Sequence, residues 1–188
     1  NKTIKKGREI AFFKDIEFSR IFMTWQIPYA KDQKNILGYE IISSILTDGR
    51  NSILNRKLKE EKQIVESIYS GIQPGEFGSL FIIEASLERE NLKKVEDIIN
   101  NLLQKLLTNS NLNNKIKKAL RIVKSNYIFN LETSSQLSQF YGNHLLWGRL
   151  NPQIELNKNF KYWKSTENLR KLIKFLLQDK FTFIAYKI

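Results

Sequence analysis

Cysteine is absent from this chain of 188 residues, and histidine occurs once, as His144. Without cysteine there is neither a disulfide nor a thiolate metal site, and the redox compartment stays open. With one histidine, a self-contained catalytic zinc centre lacks its ligands, because such centres use three protein ligands that usually include His. The His-x-x-Glu-His pattern of the inverted zincins is missing. Nucleophilic catalysis lacks its parts too: there is no Cys, no Gly-x-Ser-x-Gly, and only one His to act as base. Gly71, Gly75 and Gly78 follow one strand-like segment and precede another. A phosphate cradle needs a helix N-terminus there. No apolar run reaches the roughly 18 residues of a membrane span. Internal repeats and low-complexity segments are also lacking. The carboxylate pairs Glu60-Glu61 and Glu88-Glu90 fall at predicted element ends, where solvated side chains are expected.

Positive charge is plentiful, with a formal net charge of +12. A polyanionic partner is one reading of such an excess. The make-up of the charge argues against it. There are 23 Lys against 8 Arg, beside 18 Asn, the pattern of an AT-rich coding sequence. The bases are scattered among Glu residues, and the clusters Lys2 to Arg8 and Lys115 to Arg121 are short. Nucleic-acid recognition needs bases and aromatics converging on one face. Tyr162 and Trp163, beside Lys161 and Lys164, form the one such cluster, and we expect them to pack at a helix entrance. No nucleic-acid partner is therefore expected. The chain opens on Asn1 and not Met, so we expect it to be part of something longer. No signal-peptide pattern is visible at that start, which says nothing about export.

The apolar share of 41% suffices for a sizeable core. Its spacing predicts the elements. Residues 1–8 read as a polar linker and Glu9 to Phe13 as a short strand. Ile21, Met23, Trp25 and Ile27 share one face, with Phe22, Thr24 and Gln26 on the other, which predicts a strand that Pro28 stops. Ile36, Leu37, Ile41, Ile45 and Leu46 recur at helical spacing, with Gly49 as a stop signal. A shorter helix fits Ser52 to Glu61. Ile64 to Gln73 and Leu80 to Leu87 read as a hairpin turning at Pro74-Gly75. Three helical stripes follow. The first runs from Leu92 to Leu106 and the second from Ile116 to Leu131. The third holds Leu137, Tyr141, His144 and Gly148, which places His144 on a packed face with its nitrogens satisfied. Asn151-Pro152 is expected to break the chain, Thr166 to cap a last helix through Leu177, and Phe181 to Ile188 to close as a strand. Grouped strands and grouped helices predict an α+β fold, an antiparallel sheet packed on one face by helices, as a single domain over residues 1–188.

The stretch from Ser52 to Ser70 carries a resemblance. It reads Ser52-Ile53-Leu54, then Asn55-Arg56-Lys57, then Leu58-Lys59-Glu60-Glu61. It follows a strand, an apolar helix and an Asp48-Gly49-Arg50 turn, and leads into an alternating strand. This order resembles the second, non-metal-binding half of the pitrilysin/insulinase family of zinc metallopeptidases. The family pattern there is Ser-Arg-Leu, three residues, Leu-Arg-Glu, and a Tyr seven positions beyond the Arg. Lys59 stands at the Arg position and Glu66 at the Tyr position. Ile53 replaces the Arg of the first run, and Asn55 falls where an aromatic is common. The resemblance covers nearly the whole chain in order and size of elements. It implies the layout of a metallopeptidase half, which is also LuxS-like.

The resemblance further implies two similar halves closing around a peptide. Zinc is expected in the N-terminal half, which would lie outside this chain, and no cofactor in this one. Alone, the chain should be catalytically silent. Its expected partners are the homologous N-terminal half or a partner subunit, a peptide substrate, and a second chain in a homo- or hetero-dimer. In active relatives the Arg and Tyr reach toward substrate, so Asn55, Lys59 and Glu66 are the expected substrate-binding residues. Lys59 keeps the charge but loses the bidentate fork of Arg. An ionised Glu66 cannot donate a hydrogen bond, and it repels a developing oxyanion. These losses lend weight to the alternative, a zinc-less degenerate member acting as a non-catalytic partner or scaffold subunit.

Overall fold

Alternation over residues 19–27 decides the middle of the molecule. A computed structural model describes residues 6–178 and 180–188. In it Ser19–Ile27 forms β2, with Ile21, Met23, Trp25 and Ile27 buried on one face. β4 (Ser79–Leu87) pairs antiparallel with β2 and sets Phe81, Ile83 and Ala85 beside Trp25, Met23 and Ile21. β3 (Ser67–Gln73) continues antiparallel on the far side of β4. β5 (Phe181–Lys187) pairs antiparallel with β2 on the other side. β1 (Gly7–Phe13) then adds to β5 in parallel, Ile10 beside Ile184. The sheet order is β1-β5-β2-β4-β3. All pairings but that of β1 with β5 are antiparallel. The segment read as a linker divides: Gly7 and Arg8 lie in β1, and residues 1–5 lie outside the described residues.

Helices cover the buried face. α1 (Gln33–Thr47) carries apolar residues on most of its sides, with Ile36, Leu37, Tyr39, Ile41, Ile42, Ile45 and Leu46 buried. A helix apolar nearly all round must be enclosed. α1 lies between the β3 side of the sheet and α3 (Leu112–Phe129). Asp32 caps it by accepting the Asn35 N–H at 3.2 Å. It ends before Gly49, whose φ of +78° a side chain would strain. α2 (Leu92–Leu107) lays its stripe Leu92, Val95, Ile99, Leu103 and Leu106 against β2 and α6 (Thr166–Leu176). Each such side chain contributes about 2 kcal/mol by leaving water. Sheet and helices share one continuous cluster of buried residues.

Four further expectations change. Ser52 to Glu61 does not make an ordinary helix: Asn55–Glu61 is π-helical, closed by the Lys62 N–H on Lys57 O at 3.2 Å. The strand read from Ile64 starts at Ser67, after Gln63 turns with φ +51°. Asn151-Pro152 does fall at the break after α4, but it also starts α5 (Pro152–Tyr162), with Pro at the first turn. Proline there gives up an N–H that a helix start leaves unpaired anyway. Near the C-terminus, Ser165 and not Thr166 caps α6, accepting the Asn168 N–H at 3.5 Å. α4 (Ser134–Leu146) starts from a capping box of Thr133 and Gln136.

Close approaches fix α1 in place. A Cβ on Gly38 would lie 2.5 Å from Trp163 Cζ2 and 2.6 Å from Leu172 Cδ1. Trp163 is buried at the end of α5, and its Nε1–H donates to Lys34 O at 2.6 Å. The aromatic-basic cluster around it therefore packs a helix end, with Lys34 Nζ 3.6 Å from the Tyr162 ring centre. At the sheet edge, Ser43 Oγ donates to Ser70 O (2.7 Å), and the Ser70 N–H donates to Thr47 Oγ1 (3.1 Å). Two side chains one helical turn apart thus satisfy the edge backbone of β3 at Ser70.

Candidate functional site

The segment after α1 holds the residues named by the resemblance. Asn55 Nδ2 donates to Thr47 O at 2.6 Å, closing the end of α1. One turn later Lys59 is exposed, and its Nζ donates to Glu66 O at 2.8 Å. Glu66 is exposed, and its N–H donates to Ser86 O on β4 at 2.8 Å. Lys59 and Glu66 are therefore neighbours, joined through a backbone carbonyl and not carboxylate to ammonium. Asn55 turns away from them toward α1. The nearby acids are paired: Glu60 with Arg50, and Glu61 with Arg56 and Lys57. The Lys57 hydrogen bond holds the Glu61 carboxyl below its ordinary range. Lys59 retains two N–H donors, since an ammonium carries three.

A second constellation lies along α1 itself. Tyr127 on α3 donates its hydroxyl to both oxygens of Glu40, at 3.2 and 3.0 Å. Glu40 is half-buried, and burial pushes its pKa up to about 7, with the Tyr127 hydrogen bond opposing. Burial and the Glu40 carboxylate together push the Tyr127 hydroxyl well up. The pair opens on a cleft of about 580 Å³ whose walls include Ser43, Asp48, Tyr69, Asn126 and Asn130. Toward α4 the cleft continues past Asn143 to His144 and Trp147. His144 packs as its helical stripe predicts, 6% exposed, but its Nδ1 has no partner. Desolvation, and then Arg149, push its pKa down. Glu40 had a signal in the sequence, an acid flanked by the apolar positions 36, 37, 41 and 45 of one helix.

Bases do converge at one place. Lys117, Arg121 and Lys124 of α3 face Lys161 and Lys164 across a groove floored by Leu120 and Phe160. Phe160 in its floor is partly buried and meets Tyr127 edge-on at 6.1 Å, while Trp163 nearby is buried. Among the described residues, no group of three or more His, Asp or Glu side chains could hold a metal ion. Zinc therefore finds no ligand set among the described residues. No described helix is long and apolar enough to cross a membrane.

The fold is shared with known structures. A protease from Helicobacter pylori aligns with TM-score 0.78 at 17% identity, over 96% of this chain and 44% of that one. A peptidase M16 inactive domain from Pseudomonas fluorescens aligns with TM-score 0.80 at 13% identity, over 98% and 44%. A conserved protein from Enterococcus faecalis V583 aligns with TM-score 0.74 at 15% identity, over 100% and 44%. The chain thus spans less than half the length of these three structures. Among curated proteins, no sequence matches it. The family model for the peptidase M16 inactive domain matches residues 2–120. By that match, over more than half its length, the chain belongs to the peptidase M16 family, in the place of its inactive domain.

Proposed function

We propose that this chain is the non-catalytic half of a zinc-dependent metalloendopeptidase-like protein, closing a peptide chamber and contacting substrate. The observation that carries the reading is the match to the inactive-domain model, joined to similar structures more than twice as long. In this reading zinc belongs to a homologous N-terminal half or to a partner subunit. The role of this half is to present donors and shape. Lys59 is held in position by Glu66 O and keeps N–H groups for a peptide carbonyl or carboxylate. Asn55 fixes the end of α1 from which that segment departs.

A second reading is a zinc-less partner or scaffold subunit. One specific observation favours it: an exposed Glu66 carboxylate stands where the family places a tyrosine hydroxyl. A carboxylate adds negative charge where a developing oxyanion needs a donor. Cleavage of a mixed peptide library by the intact natural protein separates the two. Cleavage lost with a chelator and restored by zinc supports the peptidase half. A folded protein that cuts nothing supports the partner subunit.

A further inference from the structure

The chain carries a net charge of +12. Yet the cleft between α1, the β3 edge and α3 is lined by two carboxylates and by no lysine or arginine. Glu40 enters it from the middle of α1, and Asp48 from the end of that helix. Neither has a cationic partner among the described residues. Glu40 takes only the Tyr127 hydroxyl, and Asp48 makes no ion pair. The side-chain amides of Asn126, Asn130 and Asn143 line the same walls and can accept through their oxygens.

A second observation comes from α4. His144 lines the continuing cleft with Glu40, Tyr127 and Asn143, and is more than nine-tenths buried. Its Nδ1 has no hydrogen-bond partner. Burial and then Arg149 push its pKa down, and a neutral imidazole has one nitrogen that accepts. The cleft thus gathers two carboxylates and an unpartnered imidazole nitrogen, all acceptors. No set of described residues could hold a metal ion. The arrangement calls for an organic cation bearing several N–H donors.

We propose that this cleft binds the ammonium or guanidinium head of a lysine or arginine side chain in a peptide. The proposal rests on the reading that the protein handles peptides, and it adds a preference for basic residues at a site distinct from Lys59. The cleft volume of about 580 Å³ admits such a side chain with its flanking backbone. The groups facing Glu40 are Tyr127 from α3, His144 from α4, Asp48 from the end of α1 and Tyr69 from β3, with Arg149 beyond Tyr127 and His144. A bound cation favours ionised Glu40. Binding therefore weakens as pH falls through 7, the value to which burial raises Glu40. Protonation of His144 at lower pH acts in the same direction.

Calorimetry on the intact protein tests this with two short Ala/Ser peptides, one carrying a lysine and the other norleucine in its place. At about pH 8 the lysine peptide should bind roughly tenfold tighter or more. That preference should fall to within about twofold in Glu40→Gln and in Asp48→Asn. It should shrink likewise in the unaltered protein at about pH 5.5. Equal binding of the two peptides, or a preference that survives both substitutions, overturns the proposal. If neither peptide binds, the peptide reading itself fails, and butylammonium titrated against the Glu40 carboxyl signal in NMR decides the cleft alone. A lowered Glu40 titration midpoint then supports a cation site, and an unmoved one overturns it.

Discussion

Glu40 is an acid in the most enclosed helix of the chain, and its environment sets a pH dependence. Its pKa rises from 4.5 to about 7 because burial disfavours the charged form more than Tyr127 favours it. The folded state therefore holds this proton more tightly than the unfolded chain does. The stability tied to Glu40 is complete below pH 4.5 and is lost as pH rises through 7. Glu40→Gln removes the titration but keeps an acceptor for Tyr127. Relative to the unaltered protein, the variant should gain about 1–3 kcal/mol between pH 4.5 and pH 8, read from urea unfolding at each pH. A difference that stays constant with pH means that Glu40 titrates as it does unfolded. The residue could be noticed in the sequence, since it interrupts an apolar stripe. Its partner could not. Tyr127 lies 87 positions away, and the 3.6-residue period of α3 marks it only as a core residue.

At the scale of elements, strong periodicity was readable and local exceptions were not. β2, α1, α2 and the β3–β4 hairpin follow from alternation, helical stripes and the Pro74-Gly75 turn, because burial on one face enforces those patterns. The π-helical turn at Asn55–Glu61 leaves no such trace. It differs from an α-helix by one residue per turn, and Leu54 and Leu58 stay buried in either form. α5 was hidden because a proline that stops one helix can also start the next. The segment around Lys59 was legible as a motif, but the motif does not tell that Asn55 faces α1 while Lys59 faces Glu66 O. A functional prediction belongs here. Lys59 is exposed, and one hydrogen bond to a carbonyl contributes about 1 kcal/mol. Lys59→Ala in the intact protein should therefore weaken peptide affinity by more than it lowers stability. Unchanged cleavage kinetics together with a lowered Tm would show a structural lysine only.

The whole molecule is a sheet with one covered face and one open face. On the open face Phe22 and Phe183 lie 6.0 Å apart, beside half-buried Ile82 and the Arg20–Glu84 pair. The molecule's stability comes from apolar burial against the other face, and no described cluster could hold a metal ion. Excess chelator should accordingly leave the Tm of this chain within about 1 °C of its starting value, since a ligand that is not bound stabilises nothing. A drop of several degrees would reveal a metal held outside the described residues.

The position of β5 has a consequence for how the molecule is made. The last strand of the chain lies inside the sheet, with β1 on one side and β2 on the other. Among the described residues β1 pairs with β5 alone, so it waits for a segment 174 positions later, as Gly7 beside Phe181 shows. During synthesis β1 stays unclaimed until β5 has left the ribosome. The β2–β4–β3 block with α1 can assemble earlier, because its parts lie closer in sequence. A nascent chain stalled before Phe181 exposes two unpaired strand edges at once, that of β1 and the free side of β2, which makes it the form most open to proteases and to aggregation.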